Sequence, residues 1–216
     1  MNRLNRLALA CFSVLLLLGV IGANAASASE FEAESYPAHL EGAQVSGEPF
    51  ILETEAGTLE CATFTATGEQ SANAESVELS PAAAECKAFG FLGVGIHFNG
   101  CKLRPRAGGN IASHKWNATV DVVCPVNKAI LVTAATCEFD IPSQNGIGGV
   151  TLDVETSFPN PAIKFTFNST ITVNVTKDGF GCPFSGTGHK KGTWKGSIRI
   201  SAWDILKKVI IKWWVK

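Results

Sequence analysis

Lysine and arginine are missing altogether from residues 26–86, a stretch that holds twelve glutamates. The end of the chain, residues 205–216, is the reverse, with four lysines and no acid, and residues 87–204 carry seven acids against twelve bases. The formal net charge is only −1, so no general excess of cations is there to track a phosphate backbone, and nucleic acid is not an expected partner. An acidic first part and a basic second part suit strands of one sheet system that attract each other. Calcium is not expected, because calcium loops cluster Asp and Asn around a turn glycine and the acids here are scattered glutamates. The groups Lys102/Arg104/Arg106 and Lys190/Lys191/Lys195 are candidates for a basic face that meets phosphate or acidic glycan. A solvated face of ordinary lysines accounts for them equally.

Several kinds of chemistry lack their residues. No two cysteines stand two to four residues apart, which removes the usual thiolate zinc site. There is no His-Glu-x-x-His, no Gly-x-Ser-x-Gly and no Walker loop. His39, His97, His114 and His189 fall in separate segments with no shared motif. Gly186-Thr187-Gly188 followed by His189-Lys190-Lys191-Gly192 has the look of a phosphate cradle. No helix follows it, since Thr193 to Ser201 alternates as a strand, so the glycines read as a hairpin turn. No catalytic residue, metal or cofactor emerges. The paired carboxylates of a secreted hydrolase remain open as an alternative, because nineteen acids offer many pairs and spacing selects none.

A second long apolar run is also missing, so residues 26–216 are not expected to span a bilayer. The first run, Leu7 to Ile21, follows Arg3 and Arg6 and precedes Ala23-Asn24-Ala25, the pattern of a secretory signal with a small-residue cleavage site. Residues 1–25 are read as that signal, with an uncleaved signal-anchor as the alternative. Cys11 lies inside the run, leaving Cys61, Cys86, Cys101, Cys124, Cys137 and Cys182 in the exported part. An even number of thiols outside the cell is a disulfide framework, and all six are expected to be oxidised. Six cysteines allow fifteen connectivities. Cys86–Cys101 and Cys124–Cys137 each bracket a length of chain that can return on itself, which leaves Cys61–Cys182 as a long-range staple.

What is abundant is alternation. Ile163, Phe165, Phe167, Ile171, Val173 and Val175 interleave with Lys164, Thr166, Asn168, Thr170, Thr172, Asn174 and Thr176. On a strand such side chains fall on opposite faces, one buried and one wet. Asn168-Ser169 is the expected bend or bulge in this long run. Trp194, Ile198 and Ile200 repeat the pattern, as do Trp116, Ala118, Val120 and Val122. Further strand-like runs are 49–54, 58–66, 76–79, 94–98 and 129–141, with glycine-rich turns between them. The expected fold is all-β, an antiparallel sandwich or barrel stapled by disulfides, as one domain over residues 26–204. Asn117, Asn168 and Asn174 each open a glycosylation sequon in this threonine-rich chain.

Trp116 and Trp194 are in phase with their strands' apolar residues and read as core. Trp203 and Trp214 are out of phase, which makes them the candidate ligand contacts. In residues 205–216 a helix would align Lys208, Lys212 and Lys216, but Ile205, Ile211 and Val215 would spoil its polar face. As a strand, Val209, Ile211, Trp213 and Val215 share one side and three lysines the other, so a lysine-fringed last strand is expected. A cationic membrane-surface helix is the alternative.

Phe31-x-Ala33-Glu34-x-Tyr36-Pro37-Ala38, Gly57-x-Leu59-x-Cys61 and the later single cysteines together resemble a group of predicted exported actinobacterial proteins of unassigned function. The spacing likeness covers most of residues 30–204, and the lysine-rich tail lies outside it. The resemblance implies export and a β-fold and carries no catalytic residues across. The expected role is therefore that of an exported non-enzymatic envelope or extracellular protein with a binding or structural role. Its partner would be an envelope glycan or another envelope protein. A glycan-binding module using Trp203 or Trp214, a secreted hydrolase and a membrane-surface protein are the alternatives.

Overall fold

The computed structural model describes residues 29–157 and 159–216; the signal read at residues 1–25, with Cys11, lies outside them. The strands are β1 Phe31–Ala33, β2 Ala38–Gln44, β3 Phe50–Glu53, β4 Thr58–Gln70, β5 Leu79–Ala88, β6 Leu92–His97, β7 Lys102–Ala112 and β8 Lys115–Val123. They continue with β9 Ile130–Ala134, β10 Cys137–Ile141, β11 Gln144–Glu155, β12 Ala162–Lys177, β13 Gly188–Asp204, β14 Val209–Ile211 and β15 Trp213–Val215.

Eight staves in chain order account for the main sheet. β2 runs on into β3, β6 into β7, β8 into β9 and β10 into β11, while β4, β5, β12 and β13 are each a stave alone. Each stave pairs antiparallel with the next, and β13 closes the ring against both β2 and β3. The result is an up-and-down barrel, which has no free edge to present. The composite staves are jointed near the waist. There β2 and β3 are separated by Val45–Pro49, and β8 and β9 by Cys124–Ala129.

The interior is filled from end to end by the inward phase of each stave, with aromatic rings at three levels. At the waist Phe50 stacks on Phe64 at 4.1 Å between centroids, and meets Phe167 and Trp194 edge-on at 5.4 and 5.1 Å. At one end Phe31, Phe165 and Trp213 form a stack with centroids 5.4 to 6.3 Å apart. At the other, Phe184 from the β12–β13 loop meets Phe139 edge-on at 5.1 Å. Each such pair contributes about 0.5–1.5 kcal/mol beyond the area it buries.

The chain's two ends make one plug. β1 pairs with β15 (Phe31 opposite Val215, Ala33 opposite Trp213), and Glu30 and Lys216 exchange both backbone hydrogen bonds. Gln70, buried beneath them, accepts from the Trp213 indole N–H at 2.8 Å and donates to the Phe31 carbonyl at 2.6 Å. The Tyr36 hydroxyl accepts from the Ala33 N–H and donates to Asn73, which fixes the turn into β2. The Phe31–Ala38 stretch is thus a structural closure in this fold.

Four sequence expectations are corrected. The disulfides are Cys61–Cys86, Cys101–Cys124 and Cys137–Cys182, not Cys86–Cys101, Cys124–Cys137 and Cys61–Cys182. In a meander the cysteine of one stave faces its successor: Cys61 lies directly opposite Cys86, and Cys101 and Cys124 flank the paired Lys102 and Val123. With separations of 25, 23 and 45 residues, the chain-entropy contribution is about 3.5–4 kcal/mol each.

Asn168-Ser169 is not a bend. β12 is unbroken, with Ser169 inward and opposite Trp194, and the bulge sits in β11, where Gly149 has φ 78°. Residues 129–141 are a hairpin, β9 and β10, turned at Ala135 with φ 49°. The tail is strand, but in two pieces: Ile211, Trp213 and Val215 are buried, whereas Val209 is 48% exposed because β14 peels off the end of β13.

Trp213→Ala removes a fully buried ring and leaves Gln70 half-paired, so urea unfolding should show a loss of about 3–5 kcal/mol. Trp214→Ala, at a half-buried ring, should cost less. Unchanged stability of the Trp213 variant would remove the plug from this account.

Candidate functional site

Among the described residues, the inside of the barrel offers no ligand chamber. One interior void is about 40 Å³, lined by Phe50, Leu59, Phe64, Ile96 and Trp194 among others, and a second is about 10 Å³. Ligand pockets for small molecules run to several hundred Å³. Among the described residues no group of three or more His, Cys, Asp or Glu is arranged to hold a metal, and no helix is long and apolar enough to cross a membrane. The outward positions of β12 are Lys, Thr and Asn, the reverse of the apolar outer band of a membrane barrel.

Lys102, Arg104 and Arg106 do share the outer face of β7. They are largely spoken for. Arg106 Nε and Arg104 Nε reach Asp121 Oδ2 at 3.0 and 3.2 Å, and Lys102 bonds Ser80 Oγ. Burial pushes the Asp121 carboxyl up, but the Gly146 N–H at 2.7 Å and the two guanidiniums outweigh it and hold it below the usual range. The second basic trio is divided. Lys191 and Lys195 point outward with the odd residues of β13, Lys195 paired to Glu53 at 2.5 Å. Lys190 shares the phase of inward Gly192 and lies near Gly186 in the β12–β13 loop.

The two out-of-phase tryptophans differ in kind. Trp214 Nε1 donates to Glu32 Oε2 at 3.1 Å beside the plug. Trp203 stands half-buried on the outer wall at the edge of a groove of about 740 Å³ that crosses β13, β2 and β4. Register sets its grid. Trp203 lies opposite His39, Ser201 opposite Glu41 and Arg199 opposite Ala43, and on the far side of β2 these three face Glu69, Thr67 and Thr65. The outward positions between Trp203 and Arg199 include the short side chains of Ala43 and Ser201, whereas Gly42 faces the core, where a Cβ would stand 2.8 Å from Ile198 Cδ1. Val45 and Ser46 raise the far rim, where the chain leaves β2 for β3.

Both charged residues of the groove are engaged. Glu41 lies 3.4 Å from His39, and Arg199 pairs with Glu155 at 2.6 Å while donating to the Asn160 carbonyl. A smaller hollow holds two carboxylates, Glu60 and Glu85, but both are exposed beside Lys87 on the open sheet surface. Trp203 was legible from its phase. Its partners were not, because Thr65 and Thr67 come from a strand far off in sequence and meet Trp203 only through β2. The chain matches no protein-family model, no curated protein and no solved structure.

Asp204 anchors the Trp203 end. The Lys207 N–H, the Ser35 hydroxyl, the Lys207 ammonium and the Leu206 N–H all meet its carboxylate, which lowers its pKa from 3.8 to about 2. A lowered folded pKa gives stability that is present above the unfolded value and lost as pH falls through the folded one. Asp204→Asn should therefore melt below the native protein at pH 7, with the gap closing between pH about 4 and about 2. A gap that persists unchanged down to pH 2 would contradict this role.

Proposed function

We propose that the chain is an exported, non-enzymatic protein of the cell envelope or extracellular space, with a binding or structural role exercised through its outer wall. The observation that carries this reading is a closed barrel filled to its axis and cross-linked by three disulfides. A filled interior leaves no internal chamber for carriage of a small molecule, and disulfides persist in oxidising compartments. The signal pattern at Met1–Ala25 and the likeness to exported actinobacterial proteins point the same way. An envelope glycan or another envelope protein is the partner class that fits a polar outer face.

Expression of the full chain in a bacterial host, followed by fractionation, tests the proposal. Intact mass should give a species beginning at Ala26 outside the cytoplasm, unreactive to alkylation until reduced. Recovery of the uncleaved chain in the cytoplasm with free thiols would overturn it.

A further inference from the structure

We infer that the groove beside Trp203 is a binding site for an uncharged oligosaccharide. The inference rests on the reading that the outer wall does the protein's work, and gives that wall a ligand class. Three observations carry it together.

The first is the ring. Trp203 is half-buried on the outer face, and among the described residues its indole N–H has no protein partner, unlike those of Trp213 and Trp214. A sugar ring has an apolar C–H face that packs on an aromatic plane and a belt of hydroxyls around it. An indole with an unclaimed N–H serves both.

The second is the floor. From Trp203 to Arg199 along β13 is about 14 Å, at roughly 3.4 Å per residue, enough for a short run of linked sugar rings. Between those ends Ser201, Ala43, Thr65 and Thr67 are short outward side chains around Glu41, and Ser201, Thr65, Thr67 and Ser46 supply hydroxyls. Among the described residues none of the four hydroxyls is bonded to protein, whereas Ser197, next outward along β13, is tied to Thr166 at 3.1 Å. A hydroxyl donates and accepts, which suits the mixed donor and acceptor belt of a sugar.

The third is charge. Glu41 is beside His39 and Arg199 is held by Glu155 and the Asn160 carbonyl, so the groove has no unpaired cation for a phosphate or sulfate. An anionic chain would have to displace Glu155 from Arg199. A neutral one can hydrogen-bond to Glu41 and to the Arg199–Glu155 pair as they stand. The polar floor also disfavours a purely apolar ligand, which would strip water from hydroxyls it could not replace.

The test uses the oxidised full-length exported protein on an array of neutral and anionic oligosaccharides, with hits titrated by tryptophan fluorescence. Binding should be confined to neutral chains. Trp203→Ala should weaken it at least about tenfold, a difference of about 1.4 kcal/mol, and Trp203→Phe by less. Ala43→Arg, which fills the groove floor from an exposed position, should abolish binding without a change in melting temperature, and Trp214→Ala should leave it intact. A blank array, hits limited to anionic chains, or binding that survives both Trp203→Ala and Ala43→Arg would overturn the inference. A blank array from protein that is nonetheless processed and oxidised outside the cell would leave the proposed export and outer-wall role standing.

Discussion

The seam at which β13 meets β2 and β3 governs the rest of the molecule. Without it the eight staves would be an open twisted sheet with two unpaired edges and an apolar face in water. With it, alternation along each strand becomes an inside and an outside. Once the ring closes, the interior cross-section is fixed and only side chains can fill it. The rings do so at three levels: Phe31, Phe165 and Trp213 at one end, Phe50, Phe64, Phe167 and Trp194 at the waist, Phe139 and Phe184 at the other. Ser169 is a consequence of that crowding. It is fully buried opposite Trp194, and its Oγ is the one buried side-chain polar atom without a partner among the described residues.

Closure also explains the uneven spread of charge. The first staves, rich in glutamate, come round to lie against the last ones, rich in lysine. Glu48 meets Lys164 at 2.6 Å, Glu53 meets Lys195, and Glu32 approaches Lys216 at 3.9 Å. These pairs are at or near the surface and each is worth up to about 1 kcal/mol. Their larger effect is on register, since like charges face each other across neither side of the seam. Of the basic candidates this neutralisation reaches only Lys195, while Arg104 and Arg106 share Asp121.

Much of the fold was readable wherever alternation was strong and β-branched. Residues 163–176 and 193–201 declared themselves, as did the inward phase of Trp116 and Trp194 and the outward phase of Trp203, whereas Gly188–Gly192, read as part of a hairpin turn, is the start of β13. β5 was nearly invisible beyond Leu79, for two physical reasons. Ser80 to Ala84 is alanine- and proline-rich, with little intrinsic strand preference. Its phase also slips: Leu79 and Pro81 point inward, but Glu85 at φ 53° resets the strand so that Cys86 and Ala88 do. The disulfides were misassigned because loop length was judged without the register that sets Cys61 opposite Cys86. The groove was half-legible for the same reason. A residue's phase is local, whereas its cross-strand neighbours depend on which strand closes the ring.

Native-state hydrogen exchange across the seam tests closure most directly. The backbone amides of Ile198–Asp204 and of Ala38–Gln44 are paired with each other over that whole length. If the ring is closed they exchange only through global unfolding, as slowly as the amides of the β12–β13 pair beside them. Seam amides that exchange at the rate of an exposed edge, while β12 stays protected, would mean an open sheet and would contradict the account.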